Sequence, residues 1–198
     1  MQLIILGCVV SYLVGSIPFS FLIARRAKGL DLRQAGEGNV GARNVWHTVG
    51  KGYGLLAGAL DVSKGLAAWG LGQILGIKSP WIWALGLAAV IGHAFPIFLR
   101  GRGGKGAATA MGFIFAFSPL ALVISGAVMG LGFLIFRDFH YAVAPGLALL
   151  PVLWLFLFHK SWVDVGLLLT LLCFLGLKRL LDEPYMKRIK AQTGWNKS

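Results

Sequence analysis

The chain has 198 residues, of which 57% are hydrophobic and 13% charged, and its formal net charge is +12. Long apolar blocks and a mean hydropathy of +0.76 exclude an ordinary soluble domain and are typical of transmembrane helices. The cations lie in short segments beside these blocks, which is the positive-inside pattern and not a nucleic-acid-binding surface. A second role for them is attraction of anionic lipid or phosphate. We expect one domain over residues 1–198, an all-α polytopic protein of the lipid bilayer.

Apolar runs predict seven transmembrane helices. The first has no preceding cation and no following cleavage site, which indicates a retained span and not a signal peptide. The run 107–136 is too long for one helix across about 30 Å of hydrocarbon, and we split it at Ser118-Pro119. The predicted spans are 1–24, 52–76, 81–99, 106–117, 119–136, 141–158 and 161–177.

The cations also predict the orientation. With the N-terminus outside, the loops 25–51, 100–105 and 137–140 and the basic tail 178–198 face the cytoplasm and hold most of the 19 lysine and arginine residues. Six spans would place the basic tail outside. We expect a multi-pass membrane protein. Cys8 and Cys173 lie within apolar runs, so we interpret them as buried small hydrophobes and not as metal ligands or a disulfide.

The segment 31–51, DLRQAGEGNVGARNVWHTVGK, is too polar to span a bilayer and unusually rich in glycine. Asparagine side chains both donate and accept hydrogen bonds, and glycine lets backbone N–H groups turn toward a ligand. Two interpretations stay open: a loop that contacts a ligand, or a structured connector. Its candidate residues are Glu37, Gly38, Asn39, Gly41, Arg43, Asn44 and His47.

Asp61 and Lys64 lie within the second span, three residues apart and therefore on one helical face. An ionised group in hydrocarbon is costly unless it is paired or lines a polar cavity. The pair either neutralises itself inside the bundle or places Lys64 beside an anionic substrate. His93 lies near the cytoplasmic end of the third span, where Pro96 is expected to kink the helix end.

The stretch 100–109, RGRGGKGAAT, is not a nucleotide-binding P-loop, because Gly106 stands where that motif needs a hydroxyl and no strand precedes it. Exposed amides, a lysine and the N-terminus of the following helix still favour an anion. The candidate phosphate-binding residues are Arg102, Gly103, Gly104, Lys105, Gly106 and Thr109, with Thr109 one turn after Lys105 on the same face.

His159 and Asp164 have the H-x-x-x-x-D spacing of one large class of glycerolipid acyltransferases. The predicted topology places them on the outer side, away from cytoplasmic acyl donors. We therefore treat the spacing as a chance match.

Three stretches together resemble the bacterial acyl-phosphate:glycerol-3-phosphate acyltransferases, the PlsY family. GEGNVGARNVWHTVGK resembles that family's G-S-G-N-[IV]-G-A-T-N-V-x-R-x-x-G-K. Asp61, Lys64 and Gly65 match its D-x-x-K-G. Residues 92–98 and 103–109 match its G-H-x-[FY]-P-[IV]-F and G-G-K-G-x-A-T.

The resemblance implies a multi-span fold and transfer of a fatty acyl group from acyl phosphate to the 1-hydroxyl of glycerol 3-phosphate, giving lysophosphatidic acid. It implies no coenzyme A, metal or nucleotide. We expect catalytic roles for Glu37, Asn39, Arg43, Asn44, His47 and Lys105. We expect substrate or phosphate contacts from Gly38, Gly41, Asp61, Lys64, His93, Arg102, Gly103, Gly104, Gly106 and Thr109.

The chain departs from the family pattern at five positions. Glu37 replaces a serine, Arg43 a threonine and His47 an arginine. In the C-terminal signature the histidine and asparagine positions are Cys173 and Gly176. Three readings remain: a rebuilt site in which Arg43 supplies a cation with Glu37 as its partner or base, another phospho-alcohol acceptor, or a homologue without transferase activity.

A protein of another class is the alternative, namely a small transporter or a lipid-binding membrane protein in which Asp61, Lys64 and Glu37 line a polar path. Transporters typically place polar residues at mid-membrane and often contain inverted repeats. This chain concentrates its polarity near one predicted face and has no evident repeat. Acyl transfer is the function we expect.

Overall fold

The computed structural model describes residues 1–137 and 139–195, and these residues form helices and loops with no strand. The helices are α1 Gln2–Ser16, α2 Phe19–Lys28, α3 Ala42–Thr48, α4 Lys51–Ile74, α5 Ile82–Ala94, α6 Ala107–Phe117, α7 Pro119–Phe136, α8 Phe139–Phe156 and α9 Trp162–Thr193. A short 3-10 turn covers Ile97–Leu99. The predicted loop 137–140 and tail 178–198 extend onto Asp138 and residues 196–198, which lie outside the described residues.

The helix bounds follow the predicted apolar runs from α4 to α8, except that α5 ends early. The predicted break at Ser118-Pro119 is confirmed, with Pro119 as the first residue of α7. Proline is tolerated there because the first residues of a helix have no intrahelical partner for their N–H groups. The kink expected at Pro96 is instead an end: α5 stops at Ala94, and Pro96 precedes the 3-10 turn.

The first predicted span, 1–24, falls almost entirely within one apolar helical stretch, Gln2–Lys28, but it is not one continuous helix. Helix α1 ends at Ser16 and α2 begins at Phe19, with Pro18 between them. Proline has no N–H to donate and its ring clashes with the preceding turn, so it interrupts a helix in the middle of an apolar run. The interruption places Ser16 and Ser20, both buried, beside the polar residues of α4 and α5.

The last helix is longer than predicted. Helix α9 runs unbroken for 32 residues, roughly 48 Å, and carries the expected tail as helix as far as Thr193. The predicted span 161–177 therefore ends inside this helix, and the basic tail that follows it is helical as far as Thr193. Charged residues end an apolar run without ending a helix.

By length and composition, the described residues contain two helical stretches apolar enough to cross a bilayer, Gln2–Lys28 and Ile82–Leu99. Shorter apolar helices cover Ala107–Phe117, Pro119–Ile135 and Pro145–Phe156. Helix α1 packs against α5, α4 against α6, and α7 against α8. The count of seven spans and the orientation of the termini stay predictions.

Two apolar cores hold the helices together. In the larger one the ring of Trp83 lies 5.3 Å from that of Phe113 and 5.6 Å from that of Trp154, at edge-to-face angles that aromatic rings favour. The smaller core lies beneath the segment between α2 and α4. It consists of Ala24, Leu32, Val40, Val45, Val49, Ala57 and Leu99. This second core fixes the polar segment 29–50 on the helix bundle. We call this segment the acceptor loop.

Candidate active site

The acceptor loop, residues 29–50, is shaped by one side chain. Asn44, at 0% exposure, donates from its amide nitrogen to the carbonyls of Ala35 and Asn39, each at 2.9 Å, and to that of Leu32 at 3.2 Å. Its amide oxygen accepts from the Glu37 N–H at 3.2 Å. Loop carbonyls thus occupy the amide that we expected to face a substrate. Asn44 therefore fixes the shape of the loop.

Glu37 is a buried carboxylate with one free oxygen. Its side chain is 1% exposed, and one oxygen lies 3.4 Å from Arg43 Nη1. The other oxygen, Oε1, is buried and has no hydrogen-bond partner among the described residues. Burying a carboxylate oxygen without a partner is costly, and such groups call for an explanation. Arg43 is 45% exposed, so its guanidinium also reaches the open side of the loop.

The glycines of residues 103–106 serve close packing. The N–H groups of Gly103 and Gly104 donate to the carbonyls of Ala94 and His93, each at 3.2 Å, and so cap the end of α5. The expectation that these two amides are open to an anion is therefore wrong. A Cβ on either glycine would collide with His93. Gly106 has φ = 83° and forms the N-cap of α6 in a left-handed conformation.

Lys105 is partly buried between these elements. Burial lowers the pKa of Lys105 below its ordinary value of 10.5, and the nearby cations Arg179, Arg43 and Lys190 lower it further. The carboxylate of Glu37 acts in the opposite direction and raises it. Lys105 therefore lies in a cationic cluster drawn from the 100–106 loop, the acceptor loop and α9, with one carboxylate inside it. Such a cluster favours an anionic ligand.

Asp61, Lys64 and His93 form a second, fully buried polar cluster. Lys64 Nζ lies 2.7 Å from Asp61 Oδ1 and 3.4 Å from His93 Nδ1, and His93 Nδ1 lies 3.4 Å from Asp61 Oδ1. Ser20 donates to Asp61 Oδ2 at 3.1 Å. The self-neutralising pair that we considered is present. A cavity of about 10 Å³ adjoins the cluster, so there is room for no more than a water-sized ligand.

Thr109 is also part of this buried region. Its hydroxyl donates to the backbone carbonyl of Asp61 at 3.0 Å, and its side chain is 0% exposed. The prediction that it shares a helix face with Lys105 is wrong, because α6 begins only at Ala107. Thr109 joins α6 to α4.

Asp164 has a structural role at the opposite end of α9. Its carboxylate accepts from Trp83 Nε1 at 3.0 Å, from the Ser161 hydroxyl at 2.7 Å and from the Ser79 hydroxyl. The Ser161 hydroxyl in turn accepts the Asp164 N–H and caps the helix. The interpretation of His159 and Asp164 as a chance match agrees with these contacts.

The remaining predicted residues belong to the acceptor loop and to the 100–106 loop. Asn39 is buried, Arg102 is exposed, and Gly38 and Gly41 turn the acceptor loop. The His47 ring packs edge-on against Trp195 at 5.4 Å. Among the described residues, no group of three or more histidine, cysteine, aspartate or glutamate side chains could hold a metal ion.

Sequence reasoning missed three groups at this site. Arg179 and Lys190 lie close enough to Lys105 to affect its charge, and Ser20 hydrogen-bonds Asp61. Arg179 and Lys190 could have been found by continuing the helical period of α9 past residue 177 into the basic segment. The hydrogen bond of Ser20 to Asp61 could not be predicted from the neighbouring sequence, because it depends on the helix break at Pro18.

Known proteins resemble this chain over most of its length. The family model described as glycerol-3-phosphate acyltransferase matches residues 5–183. A glycerol-3-phosphate acyltransferase of Desulforudis audaxviator (strain MP104C) is 46% identical over 125 residues, which are 63% of this chain and 63% of that protein. One of Desulforamulus reducens is 38% identical over 159 residues, 80% of this chain and 78% of that protein. The chain thus spans under two thirds of the first relative's length.

Solved structures agree with the family model. The crystal structure of PlsY, an integral membrane glycerol 3-phosphate acyltransferase, in its glycerol 3-phosphate form is 33% identical with a TM-score of 0.80, covering 96% of this chain and 92% of that chain. Its lysophosphatidic acid form has a TM-score of 0.78 at 32% identity, with the same coverage. The all-helical fold is thus that of an integral membrane protein. The chain belongs to the glycerol-3-phosphate acyltransferase family.

Proposed function

We propose that this protein transfers a fatty acyl group from acyl phosphate to the 1-hydroxyl of glycerol 3-phosphate and releases lysophosphatidic acid and phosphate. The observation that carries the proposal is the cationic cluster: Lys105, Arg43 and the positive charges of α9 converge beside Glu37. Both substrates are phosphorylated, so a site of this charge suits both. The family and the glycerol 3-phosphate form of the related structure point to the same acceptor.

In this reaction the acceptor hydroxyl oxygen attacks the acyl carbon, and the bond from that carbon to the phosphate oxygen breaks. An acyl phosphate is already activated, so the protein has to orient two anions and stabilise the developing oxyanion. We assign phosphate binding and oxyanion stabilisation to Lys105, with Arg43 and Arg102 as further cations. His47 and Asn39 line the same loop, and Asn44, with Gly38 and Gly41, shapes it.

The hydroxyl proton goes either to the leaving phosphate or to Glu37. The free Oε1 of Glu37 suits it as the acceptor of that proton, since a general base needs an unoccupied lone pair within reach of the substrate. The same charge repels a phosphate placed close to it unless Arg43 neutralises it. Glu37 therefore also bears on the choice of acceptor, and a different phospho-alcohol is the second candidate.

The second polar cluster supports the site from beneath. Gly104 hydrogen-bonds the His93 carbonyl, so the loop that carries Lys105 rests on the residue that contacts Asp61 and Lys64. We assign Asp61, Lys64, His93 and Thr109 the task of holding the 103–106 loop and α6 in place. We place the site at the cytoplasmic face of a bacterial inner membrane, crossed by seven spans.

Purified protein in lipid bicelles, supplied with radiolabelled acyl phosphate and a panel of phospho-alcohols, tests the proposal. We expect labelled lysophosphatidic acid with glycerol 3-phosphate. Glu37→Gln is expected to lower turnover about 10²- to 10⁴-fold if the carboxylate takes the proton. Glu37→Ser, which restores the residue of the family motif, separates the two roles by changing the acceptor preference. No acylated product with any acceptor on the panel overturns the proposal.

A further inference from the structure

The C-terminal end of α9 packs on the acceptor loop. Tyr185, Ile189, Thr193 and Trp195, which we name the α9 brace, all contact residues 33–47. These four residues follow the part of the chain, 5–183, that the family model matches. The contacts join a helix end to a loop that carries candidate catalytic residues.

Two hydroxyl groups of the brace hold the loop backbone. The Tyr185 hydroxyl donates to the Arg33 carbonyl at 2.7 Å. The Thr193 hydroxyl lies 2.7 Å from the Gly36 carbonyl and 2.9 Å from the Ile189 carbonyl of its own helix. Gly36 directly precedes Glu37, so the second contact fixes the chain next to the free carboxylate.

Apolar contacts complete the brace. Ile189 is 5% exposed, and a Cβ on Gly38 would lie 2.9 Å from its Cβ, so the loop and the helix touch without space between them. Trp195 packs on His47, and its ring would lie 3.0 Å from a Cβ on Gly36. The backbone on both sides of Glu37, at Gly36 and Gly38, is thus packed against side chains from the end of α9.

The loop needs such support for a local reason. Gly36 and Gly38 have φ angles of 59° and 74°, in the left-handed region that glycine occupies at no steric cost. Glycine also has the greatest backbone freedom to lose on ordering, so contacts from α9 add to the hydrogen bonds of Asn44 in fixing a segment with a glycine on each side of Glu37. A catalytic group gains from being held before the substrate arrives.

We propose that the α9 brace positions Glu37 and Arg43 against Lys105 and so sets the affinity for the phosphorylated acceptor. The inference rests on the proposed acyl transfer. Its four residues are positioning residues, because they act through the loop and need not touch the substrate. Lys190, one residue after Ile189, is a cation of the same helix end, and it lies close enough to Lys105 to lower the pKa of that lysine.

Single hydroxyl deletions test the brace kinetically. Thr193→Val and Tyr185→Phe each remove one hydrogen bond to the loop, and we expect the KM for glycerol 3-phosphate to rise about two- to tenfold. The kcat is expected to stay within about twofold, because saturating acceptor orders the loop. Thr193→Ser retains the hydroxyl and is expected to restore the KM.

Thr170→Val is the matched control, since the Thr170 hydroxyl donates at 2.9 Å to the Gly166 carbonyl within α9 and lies away from the loop. We expect it to leave the KM unchanged. The inference is overturned if the control raises the KM as much as Thr193→Val, if Thr193→Val leaves the KM unchanged, or if only kcat falls.

Hydrogen–deuterium exchange separates this inference from the proposed function. In Thr193→Val and Tyr185→Phe we expect faster exchange in peptides covering residues 31–41, with α4 and α6 unchanged. Inactive wild-type protein with this exchange pattern would overturn acyl transfer and leave the brace in place. Active wild-type protein with unchanged loop exchange in both variants would overturn the brace alone.

Discussion

Lys105 is the residue in which the charges of the site meet. Its ammonium group lies among three other cations and one carboxylate, contributed by three separate segments of the chain. A lysine in such surroundings is costly to keep charged, and a bound phosphate removes that cost. The unbound site thus favours the binding of an anion.

Removal of this charge gives the first prediction. Lys105→Met is expected to lower turnover about 10²- to 10³-fold, because it deletes the charge to which we assign stabilisation of the developing oxyanion. Release of labelled lysophosphatidic acid measures it. Lys187→Met is the control, since Lys187 is 74% exposed on α9 and pairs with Glu183. Equal losses in the two variants would contradict a specific role.

The pH profile gives the second prediction. Activity that needs the Lys105 cation falls as pH rises through its pKa, and burial with neighbouring cations sets that pKa below 10.5. Lys190→Gln removes a nearby cation, so we expect the alkaline limb of kcat/KM to move to higher pH. Glu37→Gln removes the carboxylate that raises the pKa of Lys105. We therefore expect the alkaline limb of its residual activity to move to lower pH. Shifts in the opposite directions would refute the assignment.

Residue identity was predictable where a motif carried it, and geometry was not. Lys105, Glu37 and Arg43 were predicted from the sequence and are brought together. The hydrogen bonds of Asn44 to four loop groups could not be predicted, because they depend on how a loop folds around one side chain. The same holds for Gly103 and Gly104, whose amides cap α5.

At the scale of the helices, α4 and α6 approach each other through glycine. A Cβ on Gly65 would collide with the Thr109 carbonyl, and one on Gly112 would collide with the Val62 carbonyl. Small residues let two backbones pack closely in a membrane, where lipid provides no hydrophobic force for helix association. This contact also sets Thr109 against the Asp61 carbonyl.

The third prediction follows from that contact. Gly65→Ala and Gly112→Ala are expected to lower the melting temperature in detergent, because neither backbone can move away from the added methyl group without separating the helices. Gly70→Ala is the matched control on α4, since nothing lies within 4 Å of its added Cβ. We expect that variant to be as stable as the parent or slightly more so. Equal losses in all three would refute the contact.

The buried ion pair gives the fourth prediction. Lys64→Met leaves the Asp61 carboxylate buried without its cation and is expected to cost about 3–5 kcal/mol of unfolding free energy. Asp61→Asn with Lys64→Met is expected to cost much less than the two single losses added. The Glu183–Lys187 pair, exposed on α9, is the control and is expected to contribute about 0–1 kcal/mol. Denaturant unfolding in detergent measures all three, and additive losses at Asp61 and Lys64 would contradict the coupling.

The helices were predictable wherever apolar runs end at proline, glycine or a polar loop, as at Ser118-Pro119. Two differences between the predicted spans and the observed helices share one cause, because the ends of an apolar run are not the ends of a helix. Pro18 interrupts the helix inside an apolar run. The charged residues after position 177 continue helix α9 beyond its apolar run. Hydropathy indicates whether a segment prefers lipid or water. Backbone hydrogen bonding determines where a helix begins and ends.

At the scale of the molecule, the orientation of the chain gives the fifth prediction. Helix α4 is about 36 Å long, which is enough to cross the hydrocarbon of a bilayer, and we expect its two ends to lie on opposite sides. With Cys8 and Cys173 changed to serine, Lys51→Cys and Lys78→Cys each provide one exposed thiol. On intact cells an impermeant maleimide is expected to label position 78 and not position 51. Both are expected to react after permeabilisation, and the reverse pattern would overturn the topology.

The contact between α9 and the acceptor loop also bears on how this chain and its relatives can diverge. Gly36 and Gly38 leave no room for a side chain against Trp195 and Ile189, so a change on either surface alters what the other must be. A change at one of them alone is expected to disturb this contact. We therefore expect the two segments to change together among relatives, although most of the sequence separates them. Hybrids between homologues have to exchange them together.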